Sequence, residues 1–101
     1  MNSGIEVIAA ERQRQIEKEG WDSKHDNKCN DDEQLTFAAI CYATPRRLRG
    51  FSGIDVNTRL WPWALKWWKP SAVESTEGRI KELAKAGALI AAEIDRINNL
   101  K

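Results

Sequence analysis

The segment that most constrains the fold is residues 35–43, which read LTFAAICYA and contain no charged side chain. As a helix this segment is apolar on nearly every side, and such helices normally lie at the centre of a fold or of an assembly. Asp31 and Gln34 have the three-residue spacing of a helix start, and Pro45 is placed to end the helix. We therefore predict a short, buried second helix here.

A first helix is predicted before this segment. Ser3 and Glu6 have capping-box spacing, and Gly20 is a natural helix end. The residues that share one face of this helix at three- and four-residue steps are Ile5, Ile8, Arg12 and Ile16.

The last part of the chain predicts a third, longer helix, beginning either at Ser71 with Glu74 or at Thr76. Its wide apolar face consists of Ile80, Leu83, Ala84, Gly87, Ile90, Ala91, Ile94 and Ile97. Small residues in its middle would let another helix approach closely; they are Ala84, Gly87, Ala88 and Ala91.

The middle of the chain is basic and rich in tryptophan. Residues 44–70 hold six bases and one acid, and residues 61–68 read WPWALKWW. Residues 54–60 alternate weakly, as in a short strand or an extended arm, and residues 64–68 fit one helical turn. The predicted fold class is all-α: three main helices with a long, ordered insertion between the second and the third. At 101 residues, the chain is long enough for a single helical domain, residues 1–101.

Composition excludes several classes of protein. No apolar run approaches the ~20 residues of a membrane span. The N-terminus becomes charged too early for a secretory signal, and two cysteines cannot build a disulfide framework. The net charge of +1 gives no general attraction to nucleic acid or to anionic lipid. We expect a protein of the cytoplasm with free thiols.

Arg12 is the strongest single candidate for a functional residue. It lies on the face of the first helix that should be buried, where a guanidinium needs a carboxylate, carbonyl groups or an anionic ligand. An internal ion pair and a ligand both satisfy that need. Glu11 and Gln15, four residues apart, flank this face and extend the polar cluster.

The loop predicted at residues 21–33 is dense in acids and holds the only histidine of the chain, His25. Asp26 and Glu33 are weak candidates for Mg²⁺ ligands. His25 and Cys29 have the spacing of half a zinc site, but the chain offers few further ligands of that kind. The loop is equally well explained as a solvated segment whose Asp31 or Asp32 caps the second helix.

The tryptophans of residues 61–68 lie among lysines and arginines, which suits base stacking with phosphate contacts; core packing or subunit contacts are the alternative. We hypothesise a single pocket for an anionic ligand that carries an aromatic ring. The residues expected to converge on it are Arg12, Trp21, His25, Glu33, Trp61, Trp63 and Trp67.

Four stretches of the chain together resemble a family of small bacteriophage and prophage proteins. They read ERQRQIEKEGWDSKHDNK, EQLTFAAICYA, WPW…WWKP and KELAKAGALIAAEIDRI, and they span nearly the whole chain. The resemblance implies a viral accessory protein and little about mechanism. Where that family often has HDD before a second histidine, this chain reads HDNKC, which argues against a metal role for the loop.

The order of the helices is also distantly similar to the all-α, MazG-like nucleoside triphosphate pyrophosphohydrolases. That resemblance implies a paired-carboxylate EExxE motif on the second helix to hold Mg²⁺. Here the second helix supplies only Glu33, and the other acids that could take part are Glu93 and Asp95.

The leading functional prediction is a non-enzymatic phage accessory protein, in the cytoplasm of the bacterial host, that binds an anionic nucleotide-like molecule or a host protein, with a counter-defence role. The alternatives are a diverged Mg²⁺-dependent pyrophosphohydrolase and an interaction module that docks through its tryptophans. The cofactor is unknown, and Mg²⁺ belongs only to the enzymatic alternative. The apolar faces of the second and third helices predict a homo-oligomer, either a dimer or a tetramer.

Overall fold

The computed structural model describes residues 2–49 and 60–100, and its secondary structure within these ranges is entirely helical. The α-helices are α1 (Gly4–Glu19), α2 (Ser23–Cys29), α3 (Gln34–Ala43) and α4 (Thr76–Asn98). Two single 3-10 turns, Arg46–Leu48 and Leu65–Trp67, lie between α3 and α4. The all-α prediction is confirmed. The strand or extended arm predicted at 54–60 falls almost entirely on residues 50–59, outside the described part of the chain.

Helix α1 begins and ends as its sequence predicts. The Ser3 hydroxyl accepts from the Glu6 N–H at 3.2 Å, and the Glu6 carboxylate accepts from the Ser3 N–H at 2.9 Å. Gly20 ends the helix in the left-handed conformation, with φ of 74°. One prediction for this helix is wrong: Ile5 does not lie on the buried face but is exposed.

The polar loop predicted between the first two long helices contains a further helix, α2. The Asp22 carboxylate caps it by accepting the His25 N–H at 2.9 Å. Asp26 lies in its first turn and Lys28 in its last turn, and the charges of both side chains interact favourably with the helix dipole. Six of its seven residues are polar and Cys29 is the exception, so hydrophobic patterning could not reveal this helix.

The starts of the next two helices differ from the sequence prediction. Helix α3 is preceded by Glu33 in the left-handed conformation, with φ of 63° and no side-chain cap. Helix α4 is capped by Ser75, whose hydroxyl accepts the Gly78 N–H at 3.0 Å, and not by Ser71 or Thr76. Several hydroxyl and acidic residues crowd each start, and spacing alone does not choose between them.

Helices α3 and α4 are antiparallel and form the core of the fold. Arg79, near the start of α4, donates to the carbonyls of Tyr42 and Ala43 at the end of α3. At the other end, Arg96 has its pKa raised by a hydrogen bond to Glu93 and further by the charges near the start of α3. The buried residues that form the core cluster are Leu35, Ala38, Ala39, Tyr42, Ala86, Leu89 and Ala92.

A buried carboxylate fixes both ends of the insertion onto α4. Glu82 is 4% exposed and accepts from Arg49 at 3.1 and 3.2 Å, from Arg79 at 3.1 Å and from the Ser71 N–H at 2.9 Å. Burial raises the pKa of Glu82, but these hydrogen bonds outweigh it and leave the pKa below its ordinary value. The chain before and after the insertion is thereby held against one point of α4.

Helix α4 buries a different face from the one predicted. Its inward residues are mostly alanines with Leu89 and the charged Glu82, Glu93 and Arg96, each of which has an ion-pair partner. The large aliphatic residues predicted to be buried are instead about half exposed: Ile80, Leu83, Ile90, Ile94 and Ile97. Gly87 does meet another helix, because a Cβ there would lie 2.6 Å from Ile8 of α1. None of the described helices is both long and apolar enough to cross a membrane.

Candidate functional site

A groove of about 1080 Å³ runs between α1 and the residues before α4. Helix α1 supplies Glu11 and Gln15 to its lining, and α4 supplies Lys85 and Leu89. Its aromatic lining consists of Trp21, Tyr42, Trp61, Trp63 and Trp67. We call this feature the tryptophan groove. Its size and mixed apolar and polar lining are typical of small-molecule sites.

Four aromatic residues of the tryptophan groove form a continuous series of ring contacts, here called the tryptophan stack: Trp21, Trp63, Trp61 and Tyr42. Trp61 meets Trp63 edge-on, with ring centroids 5.3 Å apart, and Trp21 lies 6.2 Å from Trp63. Trp68 extends the stack at 5.0 Å from Trp61 and 4.8 Å from Tyr42. Trp61, Trp63 and Trp68 also pack against the core cluster. Packing therefore holds these rings in place. A ligand in the groove would meet side chains that are already ordered.

A buried polar network holds two of these tryptophans in position. Trp63 Nε1 donates to Asn30 at 3.1 Å, and the Asn30 amide donates to Asp26 at 3.0 Å. Asp26 is fully buried and lies 3.9 Å from Arg12, which in turn donates to the Trp21 carbonyl at 2.8 Å. The network thus connects both ends of the Trp21–Trp63 contact to α1.

Arg12 is buried, as the sequence predicts, but it does not line the tryptophan groove. Its guanidinium is held by the Trp21 carbonyl, by Asp26, and by Asp95 of α4 at 3.7 Å. These contacts match the internal ion-pair reading of Arg12. The residue therefore positions Trp21 and connects α1, α2 and α4, and a ligand in the groove would not touch it.

His25 does line the groove, and Asp26 orients it. His25 Nδ1 lies 3.2 Å from the Asp26 carboxylate. A carboxylate only accepts hydrogen bonds, so Nδ1 carries the hydrogen and Nε2 is the ring's remaining polar atom. His25 can therefore offer one hydrogen-bonding atom to a molecule at this end of the groove.

Glu33 and Asp26 do not form a metal site together. Glu33 precedes α3, where its carboxylate accepts from the Thr36 hydroxyl at 2.9 Å, and it does not line the groove. Asp26 Oδ1 accepts from Asn30 and lies 3.2 Å from His25 Nδ1, and Oδ2 lies 3.9 Å from Arg12. Within residues 2–49 and 60–100, no three His, Cys, Asp or Glu residues are clustered as a metal site needs.

Burial raises the pKa of the Cys41 thiol to about 11, so this thiol stays protonated at neutral pH.

Gln15 is the polar residue of the groove that sequence reasoning undervalued. It is 2% exposed, and its amide donates only a long, 3.4 Å hydrogen bond to Glu11. Its Oε1 atom is buried and has no hydrogen-bond partner among the described residues. An unmet buried carbonyl of this kind destabilises a protein by ~1–3 kcal/mol. The only sequence signal was its position four residues after Glu11.

The charges of the groove leave a positive excess. Arg14 binds Glu11 through two hydrogen bonds, at 2.8 and 2.9 Å, and Glu19 through one at 3.2 Å. The hydrogen bonds to Glu11 raise the pKa of Arg14, whose single positive charge offsets one of the two carboxylates. The remaining basic residues in the lining are Lys69, Lys81 and Lys85.

Lys85 is the most deeply placed of these lysines. Its ammonium donates to the Lys69 carbonyl at 3.1 Å and lies 5.3 Å from the centre of the Tyr42 ring. Burial lowers the pKa of Lys85, while the nearby Glu11 carboxylate opposes that shift. A partly desolvated ammonium gains more from an incoming anion than a fully hydrated one does.

The structure therefore brings together five of the seven predicted site residues, Trp21, His25, Trp61, Trp63 and Trp67, and leaves out Arg12 and Glu33. Comparison of the chain with protein-family models, with curated proteins and with solved structures gives no match. The site itself must therefore carry the functional argument.

Proposed function

We propose that this chain is a phage accessory protein that binds an anionic, nucleotide-like molecule in the tryptophan groove without converting it chemically. The observation that carries the proposal is the unpartnered carbonyl of buried Gln15 beside stacked tryptophans and Lys85. Buried polar groups are almost always satisfied, so we infer that a ligand bound in the groove supplies the donor for this carbonyl.

The chemistry of the groove specifies three parts of the ligand. The tryptophan faces favour an aromatic ring, because base–aromatic stacking contributes ~1–3 kcal/mol per base. The Gln15 carbonyl accepts a hydrogen bond, which an exocyclic amino group on that ring donates. The lysines favour phosphate. An amino-bearing nucleotide such as ADP fits all three, and a uridine nucleotide lacks the amino group.

A fluorescence titration tests this proposal. We expect ADP to change the tryptophan emission in a saturable way, and uridine diphosphate to bind about 10- to 100-fold more weakly, since an unmet buried group costs ~1–3 kcal/mol. Gln15→Leu should remove ADP binding and also raise stability, because it eliminates an unsatisfied buried carbonyl. Gln13→Leu, on the exposed side of the same helix, is the matched control and should bind as the wild type does.

Two results would contradict the proposal. One is a wild-type protein whose emission does not respond to ADP at about 1 mM, where even weak specific binding is measurable. The other is unchanged ADP affinity in Gln15→Leu. Two of the other readings predict that the emission does not respond to ADP. They are a protein that docks on a host protein and an interaction module that docks through its tryptophan segment.

The enzymatic alternative predicts a different outcome with Mg²⁺. A pyrophosphohydrolase releases pyrophosphate from nucleoside triphosphates, and its carboxylates must be free to hold the metal. Here both oxygens of Glu93 accept from Arg96, at 2.7 and 2.9 Å, and Asp95 faces Arg12. We expect no pyrophosphate release with Mg²⁺ and a nucleoside triphosphate mixture.

We also propose that the protein acts as a homo-oligomer, a dimer or a tetramer, in the cytoplasm of its bacterial host. The half-exposed aliphatic residues of α4, together with Phe37 and Ile40 of α3, support self-association. Apolar surface of this extent is typical of protein interfaces.

A further inference from the structure

Trp67 differs from the other four tryptophans of the chain. The others each have a neighbouring aromatic ring with its centroid between 4.8 and 6.2 Å away; they are Trp21, Trp61, Trp63 and Trp68. Trp67 lines the tryptophan groove, yet it is 52% exposed and contacts no other aromatic ring of residues 2–49 and 60–100. It therefore offers the groove an aromatic surface that lies outside the tryptophan stack.

Trp67 is close to the lysines of the groove. Lys69 follows it by two residues, and the Lys69 carbonyl accepts from the Lys85 ammonium at 3.1 Å. The Lys69 N–H donates to the Tyr42 hydroxyl at 3.2 Å, so this part of the chain is fixed to both α3 and α4. Consecutive Cα atoms are about 3.8 Å apart, which places the Cα of Trp67 within about 8 Å of that of Lys69. A phosphate bound by these lysines would lie close to Trp67.

The ring that Gln15 would recognise binds at another part of the groove. The Trp21 N–H donates to the main-chain carbonyl of Gln15 at 3.1 Å, and the Trp21 ring contacts Trp63. The groove, at about 1080 Å³, lies at the upper end of the range of small-molecule sites, ~300–1,000 Å³. It therefore has two separate aromatic surfaces and the size for a ligand that uses both.

We infer that the ligand of the tryptophan groove is a dinucleotide, two nucleosides joined through phosphates, whose second base stacks on Trp67. The first base binds at Gln15 and the tryptophan stack, and the phosphates bind at Lys69 and Lys85. A dinucleotide has the same order of groups as the groove: a ring, an anion and a second ring. This inference rests on the proposed function, because it extends the same ligand by one nucleoside.

The surroundings of Trp67 favour a charged ligand over a protein partner. An exposed tryptophan is also typical of protein interfaces, where it lies at the centre of a patch from which water is excluded. Charged residues, lysine among them, are depleted at such centres. Trp67 is instead surrounded by lysines: the Lys66 ammonium lies 5.3 Å from the centre of its ring, and Lys69 lines the same groove.

Isothermal titration calorimetry with two probes tests for the second base. Diadenosine diphosphate and ADP-ribose are identical except that ADP-ribose lacks the second adenine. The wild type should bind diadenosine diphosphate about 5- to 150-fold more tightly, the range that stacking of one base on an aromatic side chain supplies. Trp67→Ala should bind the two probes within about twofold of each other, because the symmetric probe has two equivalent ends. Its affinity for ADP-ribose should equal that of the wild type.

Leu65→Ala is the matched control variant. Leu65 lies on the same 3-10 turn, is 60% exposed and does not line the groove, so this variant should keep the wild-type preference. Trp67→Phe retains an aromatic ring and should keep part of the preference. Helical circular dichroism of each variant shows that it folds.

Different outcomes separate this inference from the proposed function. A wild type that binds ADP but does not prefer diadenosine diphosphate to ADP-ribose overturns the second base and leaves the proposed function in place; a Trp67 that docks on a protein predicts this result. A wild type that binds none of the three molecules overturns both. A preference that persists in Trp67→Ala overturns the role of Trp67. The first comparison needs only the wild type, so it decides the question even if Trp67→Ala fails to fold.

Discussion

The two sides of α4 differ in their side chains and in what covers them. On one side the tryptophan stack and α3 cover Leu89 and the neighbouring alanines, and the remaining space is a groove with polar groups at defined positions. On the other side the large residues are aliphatic and about half exposed, and they offer no polar group; they are Leu83, Ile90, Ile94 and Ile97. The mixed aromatic and polar surface supports the proposed ligand, and the aliphatic surface supports the proposed self-association.

The difference arises from where the insertion is attached. Glu82 binds Arg49 on one side of residues 50–59 and the Ser71 N–H on the other, so the segment that carries the tryptophans is anchored at one point of α4. The tryptophans then pack on the side of α4 that faces α3. On the opposite side, Ile8 of α1 covers Gly87, but Ile90 and Ile94 stay about half exposed.

The largest expected effect is a loss of stability when Glu82, which anchors the insertion, is replaced. Glu82→Leu leaves Arg49 and Arg79 without their carboxylate, and breaking a buried ion pair in this way typically costs ~3–5 kcal/mol. Urea denaturation should show that loss, and the exposed control Glu74→Leu should change stability little. Equal stabilities of the two variants would mean that Glu82 does not anchor the insertion.

The second prediction compares adjacent residues on the two sides. Leu89→Ala removes a side chain that is 1% exposed and should lower the free energy of unfolding by ~2–5 kcal/mol. Ile90→Ala, measured at dilution where the protein is monomeric, should cost about 1 kcal/mol or less. The proposed self-association predicts that this cost grows at higher concentration, where Ile90 would be covered. A concentration-independent cost for Ile90→Ala would contradict the difference between the sides.

The third prediction concerns the boundary between the sides, where α1 packs on Gly87. Gly87→Leu adds a side chain into space held by Ile8 and should cost ~1–3 kcal/mol by overpacking. Lys85→Leu, two residues away, keeps an aliphatic stem of similar length and should cost less. The melting temperatures of both variants check this order, and equal values would contradict the close approach of α1.

The smallest expected effect is on the pH dependence of stability, and it arises from Glu82, which binds the insertion to α4. The folded-state pKa of Glu82 is lowered, so its contribution to stability is full above its unfolded pKa near 4.5 and is lost as the pH falls through the folded value. Stability measured from pH 6 to pH 3 should therefore fall less in Glu82→Gln than in the wild type. Parallel curves would show that Glu82 titrates normally.

Local rules predicted much of the fold from particular residues. The Ser3–Glu6 capping box, the end at Gly20 and the break at Pro45 depend only on neighbours within a few residues, and each is present in the structure. The burial of Arg12 followed from its position between Ile8 and Ile16 on one helix face. Helix α2 was missed because its mostly polar residues give no apolar periodicity. The start of α4 was misplaced because three hydroxyl residues compete to cap the helix.

The candidate site followed from sequence only in part. The tryptophans and His25 were predicted to meet because aromatic rings in so small a chain must fold back to be buried. Glu33 and Arg12 were placed with them by proximity along the chain. The structure instead turns Arg12 towards Asp26 and Asp95, and leaves Glu33 at the start of α3.

The sequence by itself determined that the fold is all-α, where α1 begins and ends, and that α4 has a wide apolar face, because these properties depend on local spacing. Only the tertiary structure decided which side of α4 is covered. That choice depends on Glu82 meeting Arg49 and Arg79, 33 and three residues away, and on Ile8 meeting Gly87 from another helix. Contacts between distant residues leave no periodic trace in the chain, so the exposed isoleucines and the unpartnered carbonyl of Gln15 became visible only when the helices were packed together.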